Sequence, residues 1–191
     1  MIDTAAEITR RLAVLVGLEV SWVSHAGDML TMQFGPQRRY TLRGREREDG
    51  AWALHVQCDW QIKREGITLA TREGLRGSDR RAHDTAARLH EMLVGQGLVR
   101  LESLSAYDAG DVVALFSRGY RLEVVPDGIE DDEDWRFFAP GVDAAPPESR
   151  NRCGIDRLGL SMVLCGTPAI YRDCADRYVE LAVGDKQQPH N

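Results

Sequence analysis

Apolar and polar positions along the chain follow two periods, one of a helix and one of a strand. Ile8, Leu12, Leu15 and Val16 recur at helical spacing behind Thr4 and Glu7, a capping-box pair, which predicts an amino-terminal helix closed by Gly17. A second stripe, Ala82, Ala86, Leu89 and Leu93, follows Ser78 or Asp79 as cap and ends at Gly95 and Gly97, predicting a middle helix. His83 and His90 lie off that stripe and read as surface residues. Thr167-Pro168 followed by Ile170, Tyr171, Cys174, Tyr178 and Leu181 predicts a third helix near the carboxyl end.

Elsewhere the period is two. Leu30, Met32 and Phe34 alternate with Thr31 and Gln33, after a turn at His25-Ala26-Gly27-Asp28. From Trp52 to Lys63 the alternation is unbroken, with Trp52, Leu54, Val56, Cys58, Trp60 and Ile62 on one side. One long central antiparallel strand is expected there, with tryptophans 52, 60 and 135 as core anchors. Ile67, Leu69 and Thr71 suggest a short strand returning through Gly66, and Leu98 to Leu104 another. In the stretch Asp111 to Pro140, Val112–Phe116 and Tyr120–Val124 form a hairpin about Ser117–Gly119, ended by Pro126-Asp127-Gly128. Leu158 to Gly166 carries a last strand.

The two strand-rich stretches echo one another. Ala26-Gly27-Asp28 matches Ala109-Gly110-Asp111, Tyr40-Thr41-Leu42 matches Tyr120-Arg121-Leu122, and Asp59-Trp60-Gln61-Ile62 matches Asp134-Trp135-Arg136-Phe137, each set preceded by a Gly-Leu pair. The fold class expected is α+β: a mainly antiparallel sheet or partly closed barrel from two related β-meanders, with an N-terminal, a middle and a C-terminal helix. A single α+β domain over residues 1–141 would hold the halves, about 17–71 and 97–141. Residues 142–191, introduced by a Pro-Pro loop, form an extension packing on it, the last of them disordered.

Charge separates the halves. Through position 100 there are 15 basic and 13 acidic residues, and beyond it 9 and 17, within a net charge of −6. The acidic residues crowd at Asp127, Glu130, Asp131, Asp132, Glu133 and Asp134, a field that repels phosphate backbones and attracts a basic protein. That run is the candidate protein-binding site; the bland alternative is that it only solubilises the chain. The arginine-rich segment 38–49 interleaves both signs and reads as a solvated hairpin end.

A second candidate is a shallow ligand groove lined by His55, Gln57 and Asp59 on the polar side of the long strand, with His25 at the turn; a solvated outer face is the alternative. No nucleophile elbow, P-loop, dinucleotide glycine fingerprint, HExxH or CxxC occurs, so no catalytic residue is assigned and an enzyme is the less favoured reading. Cys58, Cys153, Cys165 and Cys174 lack metal-ligand spacing, so neither a metal nor another cofactor is expected. No apolar run reaches membrane-spanning length and the start is acidic, so a cytoplasmic protein without membrane or nucleic-acid partners is expected. A homodimer through an uncovered sheet edge is compatible with this.

The motifs A-L-H-V-Q-C-x-W at 53–60, G-D-x-x-x-L-F from Gly110, and L-E-V-x-P-D from Leu122 followed by acidic residues and Trp135-Arg136 resemble a family of small uncharacterised bacterial proteins, known as a domain of unknown function. The resemblance spans Leu18 to Gly141 and transfers no catalytic residues; the tail after Pro146 departs from it. Similar families sit in toxin-immunity neighbourhoods, which implies an immunity-like binding protein.

Overall fold

Backbone pairing shows where the alternating runs go. The computed structural model describes residues 4–42, 44–107, 109–129, 133–141, 154–155 and 161–165. The amino-terminal stripe forms α1 (Thr4–Leu12), continued by a 3-10 turn, and its Ile8, Leu12 and Leu15 are buried. Val16 is exposed instead, and Glu7 pairs with Arg10 and Arg11. Arg10 chiefly, opposed by burial and aided by Arg11, holds its carboxyl below the usual carboxylate range. The middle helix α2 (Asp79–His90) begins at Ser78, whose Oγ accepts from the Arg81 amide, and buries Ala82, Ala86 and Leu89. The C-terminal helix expected at 167–184, and the disordered end, lie outside the described residues.

Two antiparallel sheets form rather than a closed barrel. The first takes β1 (Val20–Ala26), β2 (Met29–Leu42), β3 (Arg45–Val56), β9 (Glu133–Phe138), β11 (Ser161–Cys165) and β10 (Gly154–Ile155), in that spatial order. The second takes β5 (Ile67–Thr71), β4 (Asp59–Arg64), β8 (Tyr120–Val125), β7 (Val112–Phe116) and β6 (Leu101–Ala106). Between their inner faces lies one apolar core holding Met32, Phe34, Leu122 and Trp135 among others. A water-sized void of about 10 Å³, walled only by apolar atoms, remains inside it. Among the described residues no helix is long and apolar enough to cross a membrane.

The long strand expected over Trp52–Lys63 is two strands. At Gln57 and Cys58 both amides donate to the single carbonyl of Asp134, at 2.7 and 3.0 Å, a bulge that bends the chain out of the first sheet and into the second. Alternation survives the corner, because Leu54, Val56, Cys58, Trp60 and Ile62 are all buried. Periodicity alone could not reveal the change of partner.

Both sheets share one wiring. Three strands in sequence build a sheet and the next crosses over: β1, β2 and β3 before β4, then β6, β7 and β8 before β9. Registers agree row by row: Val56 faces Trp135 and Leu54 faces Phe137, as Val124 faces Trp60 and Leu122 faces Ile62. The edge strands agree as well, with an irregularity between Val20 and Trp22 in one and between Leu101 and Ser103 in the other. Tyr40, matched to Tyr120 in the sequence, sits in the outgoing strand of its hairpin opposite Arg47, so it is not the spatial counterpart.

Candidate functional site

The acidic segment starts where β8 ends, and its two described ends are fixed from within. Asp127 reaches Arg72, Oδ2 to Nη1 at 2.9 Å, and its amide donates to Oδ1 of the buried Asp134 at 2.9 Å. Arg72 follows β5 in a short 3-10 turn, with its side chain only 14% exposed. Asp28, from the β1–β2 turn, meets it at 3.1 Å, and Asp59, at the start of β4, at 3.8 Å. Arg76 approaches Asp28 at 3.7 Å and pairs with Glu73 at 2.6 Å. Three aspartates thus surround one guanidinium, so the end of the molecule stays negative after pairing. Asp59 is 67% exposed, and Val125 and Ile129 are exposed in the adjoining chain.

Of the sequence candidates, Asp127 faces this cluster and Asp134 lies buried beneath it. Glu133 is half-buried in β9, accepting from Gln57 Nε2 at 3.0 Å and meeting Arg136 at 3.4 Å. Glu130, Asp131 and Asp132 lie outside the described residues. Cys58 is a buried free thiol below Asp134, raised well above its ordinary value by burial and then by Asp134 and Asp127, so no thiolate is available. No group of three or more metal-ligating side chains occurs among the described residues.

The four groove candidates are not brought together. His25 pairs with Leu30, in the row of Val56, while His55 pairs with Thr31 in the neighbouring row, so the two histidines point to opposite sides of the sheet. His25 Nδ1 meets the carbonyl of Gly27 at 3.0 Å. Asp59 has passed the corner and belongs to the Arg72 cluster. Only His55 and Gln57 share a face, linked through Arg136 and Glu133. Arg136 donates from Nε and Nη2 to His55 Nδ1 at 3.3 and 3.2 Å, which places the imidazole proton on Nε2, and Phe138 stands edge-on at 4.9 Å. Nearby, Tyr40 donates to Asp49 at 2.5 Å, and its phenol is pushed up to about 12, first by burial and then by that carboxylate.

Burial, with the Arg136 charge second, lowers His55 from 6.5 to about 4. The unfolded chain therefore takes up this proton first. The stabilisation from the neutral ring is complete above the unfolded value of 6.5 and is lost as pH falls through it toward about 4. Solvent screening at this partly exposed site limits it to about 1–2 kcal/mol. Urea midpoints are expected to fall further between neutral pH and about pH 4 in the wild type than in His55→Gln, which cannot titrate.

On the second sheet the equivalent row is a closed ion network. Glu123 meets Lys63 at 3.0 Å and Arg121 at 2.6 Å, and Gln61 donates to it. Burial pushes that carboxyl up, and the Lys63 hydrogen bond with the charges of Arg121 and Lys63 more than offsets it, leaving it below its ordinary value.

No family model, no curated protein and no solved structure matches this chain. Sequence reasoning missed Arg72 and Arg136. Arg72 stands alone after an apolar run, and only the fold shows that three distant aspartates converge on it.

Proposed function

We propose that the protein is a non-catalytic binding module, of the immunity-like kind its resemblance implies, and that its negative end captures a basic protein. The observation that carries this reading is the Arg72 cluster, which anchors Asp127 and gathers Asp28 and Asp59 beside exposed Val125 and Ile129. Arg72 and Asp134 hold Asp127 in place, and the sequence that follows it adds three more carboxylates, Glu130, Asp131 and Asp132, to complement a basic partner. Capture of basic proteins is expected at low salt and lost at high salt. It is also expected to be lost on the triple change Glu130→Lys, Asp131→Lys and Asp132→Lys, which spares both anchors. A partner retained equally by the reversed variant at either salt would defeat the reading.

A second reading, ligand contact on the outer face of the first sheet, is favoured by one feature: His55 held neutral with Nε2–H available beside Phe138 and Gln57. Screening small acids for binding that His55→Ala abolishes would test it. Kinship of the two halves also belongs to this proposal. It is supported by the matching registers, in which Val56 and Val124, Leu54 and Leu122, and Trp135 and Trp60 hold corresponding places.

A further inference from the structure

We propose that the two halves of this chain are reciprocal binding partners, so that the molecule is in effect a fused dimer and its halves can be exchanged with those of a second copy. This rests on the paired wiring and not on the acidic surface.

The first half, α1 with β1, β2 and β3, builds three strands of one sheet and then sends β4 and β5 into the other. The second half, α2 with β6, β7 and β8, returns β9, followed by β11, to the first sheet. Among the described residues, neither half pairs its own last strands with its own first three. Among those same described residues, the inner edge of β3 is satisfied by β9, over Ala53 to Val56, and the inner edge of β8 by β4, from Tyr120 to Val125.

The helices are exchanged too. α1 packs on β6, where Thr9 Oγ1 accepts from the Ala106 amide at 3.1 Å. α2 packs on β1, where His90 Nδ1 accepts from the Val23 amide at 3.3 Å, and the His90 ring stands 4.4 Å from Trp22. Each contact fills an edge donor left open by the sheet it covers. The lead-ins of β1 and β6 pair with each other through the Glu19–Arg100 bridge, with Gly17 donating to Leu101 and Leu101 to Leu18 at 2.8 and 2.9 Å. At the same meeting point Phe34 and Phe116 stack at 6.5 Å. A half alone would expose a strand edge and half of the core, whereas two complementary halves lose neither.

The covalent link between them is dispensable by the same logic. Arg76, Gly77 and Ser78 are exposed, and Gly77 has φ +103° with open space around it. The test uses the full chain with a specific protease site inserted between Arg76 and Gly77, purified folded and then cut. The expected result is a cut protein that elutes as one particle near the 21.4 kDa of the intact chain and keeps its near-ultraviolet tryptophan signal. After unfolding in urea, refolding should depend on concentration, and mixing with a tagged cut sample should give hybrid pairs. The uncut insertion protein, followed by the same signal, controls for damage by the insert; should it misfold, the site is moved to replace Gly77 itself. Separation into two particles, or either fragment alone showing its own cooperative unfolding, would overturn the proposal. Because no outside partner enters, neither outcome bears on capture of a basic protein.

Discussion

Trp135→Ala is expected to destabilise the protein by about 3–5 kcal/mol, the largest loss from any single side chain discussed above. The indole is 1% exposed, lies across from Val56 where the first sheet meets the corner, and donates Nε1 to the Gly110 carbonyl at 3.2 Å. Trp60 is its positional counterpart across from Val124 and is 3% exposed, yet its buried Nε1 has no hydrogen-bond partner among the described residues. The two tryptophans should therefore respond differently to phenylalanine. Trp135→Phe removes a bond and strands a buried carbonyl, whereas Trp60→Phe removes an unsatisfied donor. We expect the first to cost about 1–2 kcal/mol more than the second in urea unfolding. Equal losses would mean that the indole bond to Gly110 contributes nothing.

Arg72→Met is expected to cost about 1–3 kcal/mol, less than for a fully buried charge because two of its three aspartates are well exposed. Methionine keeps most of the stem, so the loss isolates the charge. What remains is repulsion among Asp28, Asp59 and Asp127, only partly offset by Arg76 beside Asp28, and added salt should recover part of the stability. Asp127→Asn supplies the sign test, because Asp127 pairs with Arg72 whereas Asp28 also meets Arg76. In the wild type it removes an ion pair and should destabilise, whereas in Arg72→Met it relieves repulsion and should stabilise. The same sign in both backgrounds would show that Arg72 does not organise this end of the molecule.

Much of the fold was legible because burial on one face imposes a period. Leu30, Met32 and Phe34, the stripe of α2, and the hairpin of β7 and β8 lie where their spacing placed them. The corner at Gln57 and Cys58 was not legible, since a strand that changes sheets keeps its inward positions and so keeps its alternation. The echo between halves was visible at Trp60 and Trp135 because large core residues repeat in register, and was mismatched at Tyr40 because the β2–β3 ribbon is longer than its counterpart. Of the candidate site, the acidic composition was readable. That Asp127 and Asp134 serve as internal anchors was not, because their partners Arg72 and the Asp127 amide are set by long-range pairing of β4, β5 and β8. His55, Gln57, Asp59 and His25 looked like one polar row or its neighbour, and the corner together with the turn of β1 distributes them over different faces.

The negative end around Arg72 is the proposed binding surface. It is tested most directly by adding a lysine- and arginine-rich peptide to the ¹⁵N-labelled full chain at low salt and mapping the amide shifts. The expected result is a saturable set of changes at Asp28, Asp59 and residues 125–133, abolished by high salt. Changes centred instead on His55, Gln57 and Arg136, or scattered without saturation, would contradict it.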